Sequence, residues 1–245
     1  MNLDELINNA MNDVLAKDLL NTAVENDNAK RLIQYSQDDE YRQYFNTQKL
    51  LEIAANKDSL KVIAAIIENQ GTIESPNEYG LNKAMNAAAS KGNTEAVKLI
   101  GTKLSAENFT LSLFYAATEG HAETAETLID MGANLDVVVN NPLEAACSNG
   151  KLEMVHTLIK RGASVDFNAD DALKKAVLNG HENIARSLVM EHRATIIDKE
   201  FFENWNPQVF EWEKKRELND KLQTNLNTSK PTVKKSKMKD RGMKL

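Results

Sequence analysis

The sequence predicts an all-α fold, a solenoid of stacked antiparallel helix pairs, and three observations carry that prediction. The first is a recurrence every thirty residues: LFYAATEGHAETAETLIDMGANLD begins at Leu113, LEAACSNGKLEMVHTLIKRGASVD at Leu143 and LKKAVLNGHENIARSLVMEH at Leu173. The second is what recurs within it. Gly120, Gly150 and Gly180 are evenly spaced, as are Ala116, Ala146 and Ala176, and the apolar pairs Leu128-Ile129, Leu158-Ile159 and Leu188-Val189. Helical periodicity on both sides of a glycine describes two short helices joined by a left-handed turn. The third is composition: 10 Gly and 4 Pro in 245 residues argue against a collagen-like, linker-like or turn-rich β chain. A unit this short buries no apolar face alone, so copies must stack.

Taken in order, the chain starts with Leu3, Leu6, Ile7, Ala10, Met11, Val14 and Leu15 on one stripe, which predicts an N-terminal helix over 1–15. The repeats run over 16–192. LLNTAVENDNAKRLIQY carries Asp27 where the glycine belongs, and LLEIAANKDSLKVIAAIIENQG carries Asp58. Asp tolerates left-handed backbone better than most side chains, so both turns remain feasible. DDEYRQYFNTQK between them reads as an irregular loop or a further short helix. GTIESPNEYG, residues 71–80, is a turn-rich joint, after which MNAAASKGNTEAVKLI restores Gly92. Pro142 suits the first turn of its helix, where a missing N–H costs nothing. Past His192 the pattern fades. Residues 193–229 hold Ile196, Ile197, Phe201, Phe202, Trp205 and Phe210, an aromatic cap for the last repeat, and then a helix begun by Asn206-Pro207 with Leu218, Leu222 and Leu226 on one face. Residues 230–245 have little to bury and read as a disordered tail.

Charge divides the same way. The total of −6 splits into +6 for residues 230–245 and −12 for the rest. The single cysteine, Cys147, sits at a helical core position and cannot staple a secreted fold within the chain. The acidic, amphipathic opening lacks the basic start and apolar run of a conventional signal peptide, and no stretch is apolar enough to span a bilayer. The expectation is a soluble protein of a reducing compartment, cytoplasmic or, through its tail, nuclear.

Residues 16–192 resemble ankyrin repeats, most closely over 85–192. The family motif runs roughly TPLH-x-AA-x-x-GH-x-E, then an apolar pair and GA. Here NPLEAACSNGKLEMVHTLIKRGA spans Asn141 to Ala163. Gly120-His121 and Gly180-His181 match the GH pair, and Glu95, Glu123 and Glu153 the glutamate after it. The resemblance covers about three quarters of the chain. Three departures stand out. The TPLH histidine is replaced throughout, by Asn21, Glu52, Asn86, Phe114, Glu144 and Lys174. The last spacings are three residues short of the family's usual 33, which implies shortened hairpin fingers. The N-terminal spacings drift, which implies a local break in curvature near 35–50 or 71–82.

The resemblance implies a non-catalytic scaffold that binds a protein partner along the groove between finger tips and first helices. Carried onto this chain, the tips are Asn134, Asp136, Val137, Val138, Val139 and Asn140, then Asp166, Phe167 and Asn168. The first-helix positions are Phe114, Thr118, Glu119, Glu144, Ser148, Asn149 and Lys174. Val137 to Val139 and Phe167 are apolar where core positions are already filled. They either tuck into the seam between repeats or form a small recognition patch. Ankyrin-like proteins are also common among effectors that intracellular bacteria deliver into host cytosol, and the Asn/Lys-rich, Gly-poor composition fits such an origin.

Chemistry finds little support. His121 and His181 are two repeats apart, about 20 Å at about 10 Å per helical layer, too far to share a metal. Cys147 and His156 fall on different helices, which disfavours a nucleophile–base pair. There is no GxxxxGK[ST], GxGxxG or HExxH. Asp38, Asp39 and Glu40 read as a solvated acidic run. No cofactor, metal or catalytic residue is expected. Two alternatives stay open: self-association through Trp205, Phe210, Trp212 and the leucine face, and contact with nucleic acid or acidic lipid through Lys234, Lys235, Lys237, Lys239 and Arg241.

Overall fold

Six turns set the architecture. In each, a helix ends on a left-handed residue and the chain doubles back: Asp27 (φ 50°), Asp58 (φ 55°), Gly92 (φ 73°), Gly120 (φ 89°), Gly150 (φ 71°) and Gly180 (φ 74°). The computed structural model describes residues 3–70, 73–167 and 171–228. The pairs joined by these turns are α1 (Leu3–Glu25) with α2 (Ala29–Gln37), α4 (Thr47–Lys57) with α5 (Leu60–Ile67), and α6 (Glu78–Lys91) with α7 (Thr94–Gly101). They continue as α8 (Phe109–Glu119) with α9 (Ala122–Asp130), α10 (Pro142–Ser148) with α11 (Leu152–Lys160), and α12 (Asp171–Leu178) with α13 (Glu182–Met190). A one-turn α3 (Asp39–Arg42) follows the first pair, and a 3-10 turn at Ala106–Asn108 precedes α8.

First helices pack in one row, α1–α4–α6–α8–α10–α12, and second helices in another, α2–α5–α7–α9–α11–α13. The inner row is rich in alanine: Ala54, Ala55, Ala84, Ala88, Ala89, Ala116, Ala117, Ala146 and Ala176 are buried. Small side chains let these backbones approach closely. Ile63, Ile66, Ile100, Leu128, Leu158 and Leu188 fill the space toward the outer row and bury completely. The stack runs without interruption through the irregular N-terminal spacings. The extra length is absorbed by α3, capped by Asp38 Oδ1 accepting from Glu40 N at 2.9 Å, and by the segment before α6.

Two expectations need correction. The helix expected to stop at 15 continues to Glu25 as the first helix of the first pair. Its stripe is not wholly buried either: Val14 and Leu15 are exposed, and the side chains of Leu3 to Met11 lie outside the described residues. The aromatic cap is more regular than expected. α14 (Lys199–Trp205) joins the inner row against α12 and α15 (Gln208–Thr228) joins the outer row against α13. The cap is therefore a seventh helix pair with degenerate sequence, with Phe202 and Val209 completely buried. Arg216 of α15 donates to Val189 O at 3.1 Å and Ala194 O at 3.3 Å, and Arg193 forms a bidentate pair with Asp220 at 2.8 and 2.9 Å.

No β-strand occurs among the described residues, so the fingers are loops, shortened as the spacing implies. Nor is any described helix long and apolar enough to cross a membrane.

Candidate partner-binding surface

The inner row forms the floor of the groove and the finger loops form its rim. α10 starts where Asn141, itself buried, accepts from Leu143 N (2.9 Å) and Glu144 N (3.1 Å) and donates to Val137 O (3.2 Å). One side chain thus caps the helix and ties the finger to it, which stiffens a turn that lacks the TPLH histidine. Asn46 and Asn77 cap α4 and α6 in the same manner. Asn28 caps α2 likewise, so four asparagines satisfy helix starts with their side chains.

Between α8 and α10 lies a pocket of ≈ 250 Å³ lined by Phe114, Thr118, Asn140, Glu144, Ser148 and Lys175, among others. Five of the first-helix positions named from the sequence (Phe114, Thr118, Glu144, Ser148 and Asn149) therefore meet in one cavity. Next to its Asn140 rim, Val138 is 75% and Val139 73% exposed, while Val137 is half-buried. The apolar tip projects; it does not fold into the seam. Phe167 is 40% exposed on the following finger, and Asn168 lies outside the described residues.

Other expected contact residues are engaged elsewhere. Asp136 accepts from Ser164 N at 2.9 Å, and Asp166 accepts from Thr195 N at 2.9 Å and Thr195 Oγ1 at 2.7 Å. With Asn134 N donating to Thr110 Oγ1 at 3.1 Å, they stitch each loop to its neighbour. Lys174 turns away from the pocket toward α14, pairing with Asp198 at 3.1 Å and standing 5.7 Å from the Phe201 ring centre. The Asp198 carboxylate is held below the ordinary range by the Phe201 N–H and then by Lys174. Extrapolating the thirty-residue register from Glu144 selects Lys174, but α14 draws it off and Lys175 takes its place at the pocket. Glu119 is exposed and does not line the cavity. The basic tail residues Lys234, Lys235, Lys237, Lys239 and Arg241 lie outside the described residues.

The histidines of the GH pairs are structural. His121 Nε2 lies 3.1 Å from Ser90 O and His181 Nε2 3.1 Å from Ser148 O, each ring closing over the glycine of the preceding repeat. Asn93 does the same work earlier, donating to Ala55 O at 2.6 Å. Cys147 is completely buried, and burial pushes its thiol up to about 12, which leaves it a packing residue and not a nucleophile. A grouping the sequence reading missed lies on the outer row, where His156, Glu191 and His192 converge. His156 and His192 are 36 residues apart, so no local spacing reveals them. Burial and then His156 lower the His192 imidazole, partly offset by Glu191.

A linear stack of helix pairs, with a groove of half-buried polar and apolar side chains, defines a repeat scaffold for contacts with other proteins. The family model "Ankyrin repeats (3 copies)" matches residues 50–141 and 113–200, more than half of the chain, and the chain belongs to the ankyrin-repeat family. Among solved structures, the ankyrin repeat domain of Bcl-3, described as a unique member of the IkappaB protein family, is similar in fold. The likeness has TM-score 0.54 at 22% identity and covers 70% of this chain and 84% of that one. No curated protein matches the chain. The fold is that of a non-catalytic protein–protein interaction scaffold.

Proposed function

We propose that this ankyrin array captures its protein partner between the α8–α10 pocket and the adjoining finger, with Val138 and Val139 as apolar anchors. The observation that supports this is the pairing of a pocket of ≈ 250 Å³ with two valines about three-quarters exposed at its edge. An apolar tip left in water is a small cost in the free protein that is recovered when a partner covers it. Phe114 supplies an aromatic wall, and Glu144, Ser148 and Lys175 supply polar groups that fix orientation.

The test is affinity capture followed by a binding titration with the captured protein. Val138→Ser/Val139→Ser and, separately, Ser148→Arg should each weaken binding at least about tenfold, or about 1.4 kcal/mol. Melting of the valine variant should stay close to wild type, because exposed positions contribute within about 0.5 kcal/mol, while Ser148→Arg also gives up the bond from Asn179 and is titrated at a temperature where it is folded. Wild-type affinity in both variants would place the contact elsewhere.

A second reading, self-association, is favoured by Leu218 and Leu222, which are both more than half exposed on α15. Phe210 and Trp212, also named for that role, pack partly against the core, and the Leu226 side chain lies outside the described residues. Delivery into a host cell and targeting through the basic tail rest on composition and charge alone.

A further inference from the structure

On the outer row, the last turn of α13 meets the middle of α11. Arg193 adopts a left-handed conformation (φ 60°), which ends the helix and leaves Glu191 and His192 at its C-terminus. There His192 Nε2 lies 3.4 Å from His156 Nδ1, with the rings edge to face at 66°. One ligand atom from each of His156, Glu191 and His192 lies within 4.8 Å of the other two.

The protonation pattern follows from a buried neighbour. Ser187, 5% exposed, donates its hydroxyl proton to Glu191 Oε2 at 3.2 Å, and its Oγ stands 3.4 Å from His156 Nε2. With its only proton committed to the carboxylate, Ser187 Oγ accepts from His156 Nε2–H. The Nδ1 lone pair of His156 is then left facing His192. This is how protein metal sites orient a histidine: the nitrogen that does not ligate donates to a fixed acceptor, which sets tautomer and ring plane.

We propose that His156, His192 and Glu191 form a site for a zinc-class divalent cation that fastens the end of α13 to α11. The geometry suits that ion. In a tetrahedron with Zn–N bonds of about 2.0–2.1 Å, two ligating nitrogens stand about 3.3–3.4 Å apart, the separation found here. Two imidazoles and one carboxylate are the borderline donor set that selects zinc over calcium or magnesium. The remaining closure falls to Glu191, whose exposed carboxylate can turn Oε1 inward while Oε2 keeps the Ser187 proton, and the fourth position is open to water. The ion takes the place of the proton between the two ring nitrogens, and the single ring proton of His192 moves from Nε2 to Nδ1, so both imidazoles stay neutral. The helix C-terminus adds a favourable partial negative charge. The site is on the outer row and leaves the inner-row pocket uncovered. It adjoins Arg193, whose pair with Asp220 holds α15, so the ion would stiffen the junction between the repeats and their cap.

The chain has 4 histidines, which makes the experiment self-controlled. Tag-free, full-length protein is titrated with zinc chloride while the imidazole nitrogens are followed by NMR. The expected result is that His156 and His192 shift together and saturate at one equivalent, while His121 and His181 stay in place. Calorimetry on folded His156→Gln, His192→Gln and Glu191→Gln should show affinity falling by at least about tenfold in each, and zinc should raise the melting temperature of wild type alone. No shift at millimolar zinc, a shift confined to one imidazole, or undiminished affinity in the His156→Gln/His192→Gln double variant would overturn the site.

Discussion

At Gly150 the backbone is left-handed (φ 71°), and a Cβ there would stand 2.8 Å from His181 Cε1; at Gly180 the backbone is the same (φ 74°) with nothing within 4 Å. The two positions separate conformational strain from contact. Gly180→Ala should cost about 1 kcal/mol, the penalty of left-handed backbone for an L side chain. Gly150→Ala should cost about 1 kcal/mol more, because the His181 ring must give up its place 3.1 Å from Ser148 O. Urea unfolding of the two variants measures the difference, and equal costs would mean that the ring over the glycine contributes nothing to stacking. The same logic explains why a glycine is followed by histidine at residues 120 and 180. The second residue of the pair serves the repeat before it, not its own.

Among the elements, the six helix pairs were legible in the sequence because glycine, alanine and the apolar pairs recur at fixed intervals. Asp27 and Asp58 could be read as turns because few other side chains tolerate left-handed backbone. α1 was not legible as one helix: the residues on either side of 15 are all compatible with helix, and nothing marks where an extension ends and a repeat begins. The candidate site was half legible. Phe114, Thr118, Glu144 and Ser148 follow from helical register, and they meet in the pocket. Asp136 and Asp166 look like exposed loop acids until the backbone N–H donors they accept from, 28 and 29 residues onward, are known. The α14–α15 pair was legible as a cap but not as a continuation of both rows, since it lacks the glycine turn. Its helix α15 also carries the second reading's prediction. If Leu218 and Leu222 seat another copy, sedimentation coefficients should rise with concentration, and Leu218→Ser/Leu222→Ser should hold the protein as monomer. A wild-type coefficient that never changes removes self-association from that face.

At the scale of the whole molecule, stability is distributed along one axis. Each pair touches only its neighbours, so the array behaves as a chain of interfaces, with no single core. The −12 carried by residues 1–229 is spread along that axis and opposes compaction weakly at every junction. The repeat signature stops between α13 and the α14–α15 pair. Phe202 is the largest fully buried side chain there and stacks edge-to-face with Phe201 at 4.9 Å. Phe202→Ala removes that filling and should cost about 3–5 kcal/mol locally. In a protein with one cooperative core, such a loss lowers protection everywhere. Here, hydrogen exchange should accelerate in α12 to α15 and leave α4 to α7 near wild type, because three helix pairs separate them from the lesion. Uniform acceleration along the chain would show instead that the array unfolds as one unit, and that the cap stabilises the N-terminal repeats as strongly as the repeat it covers.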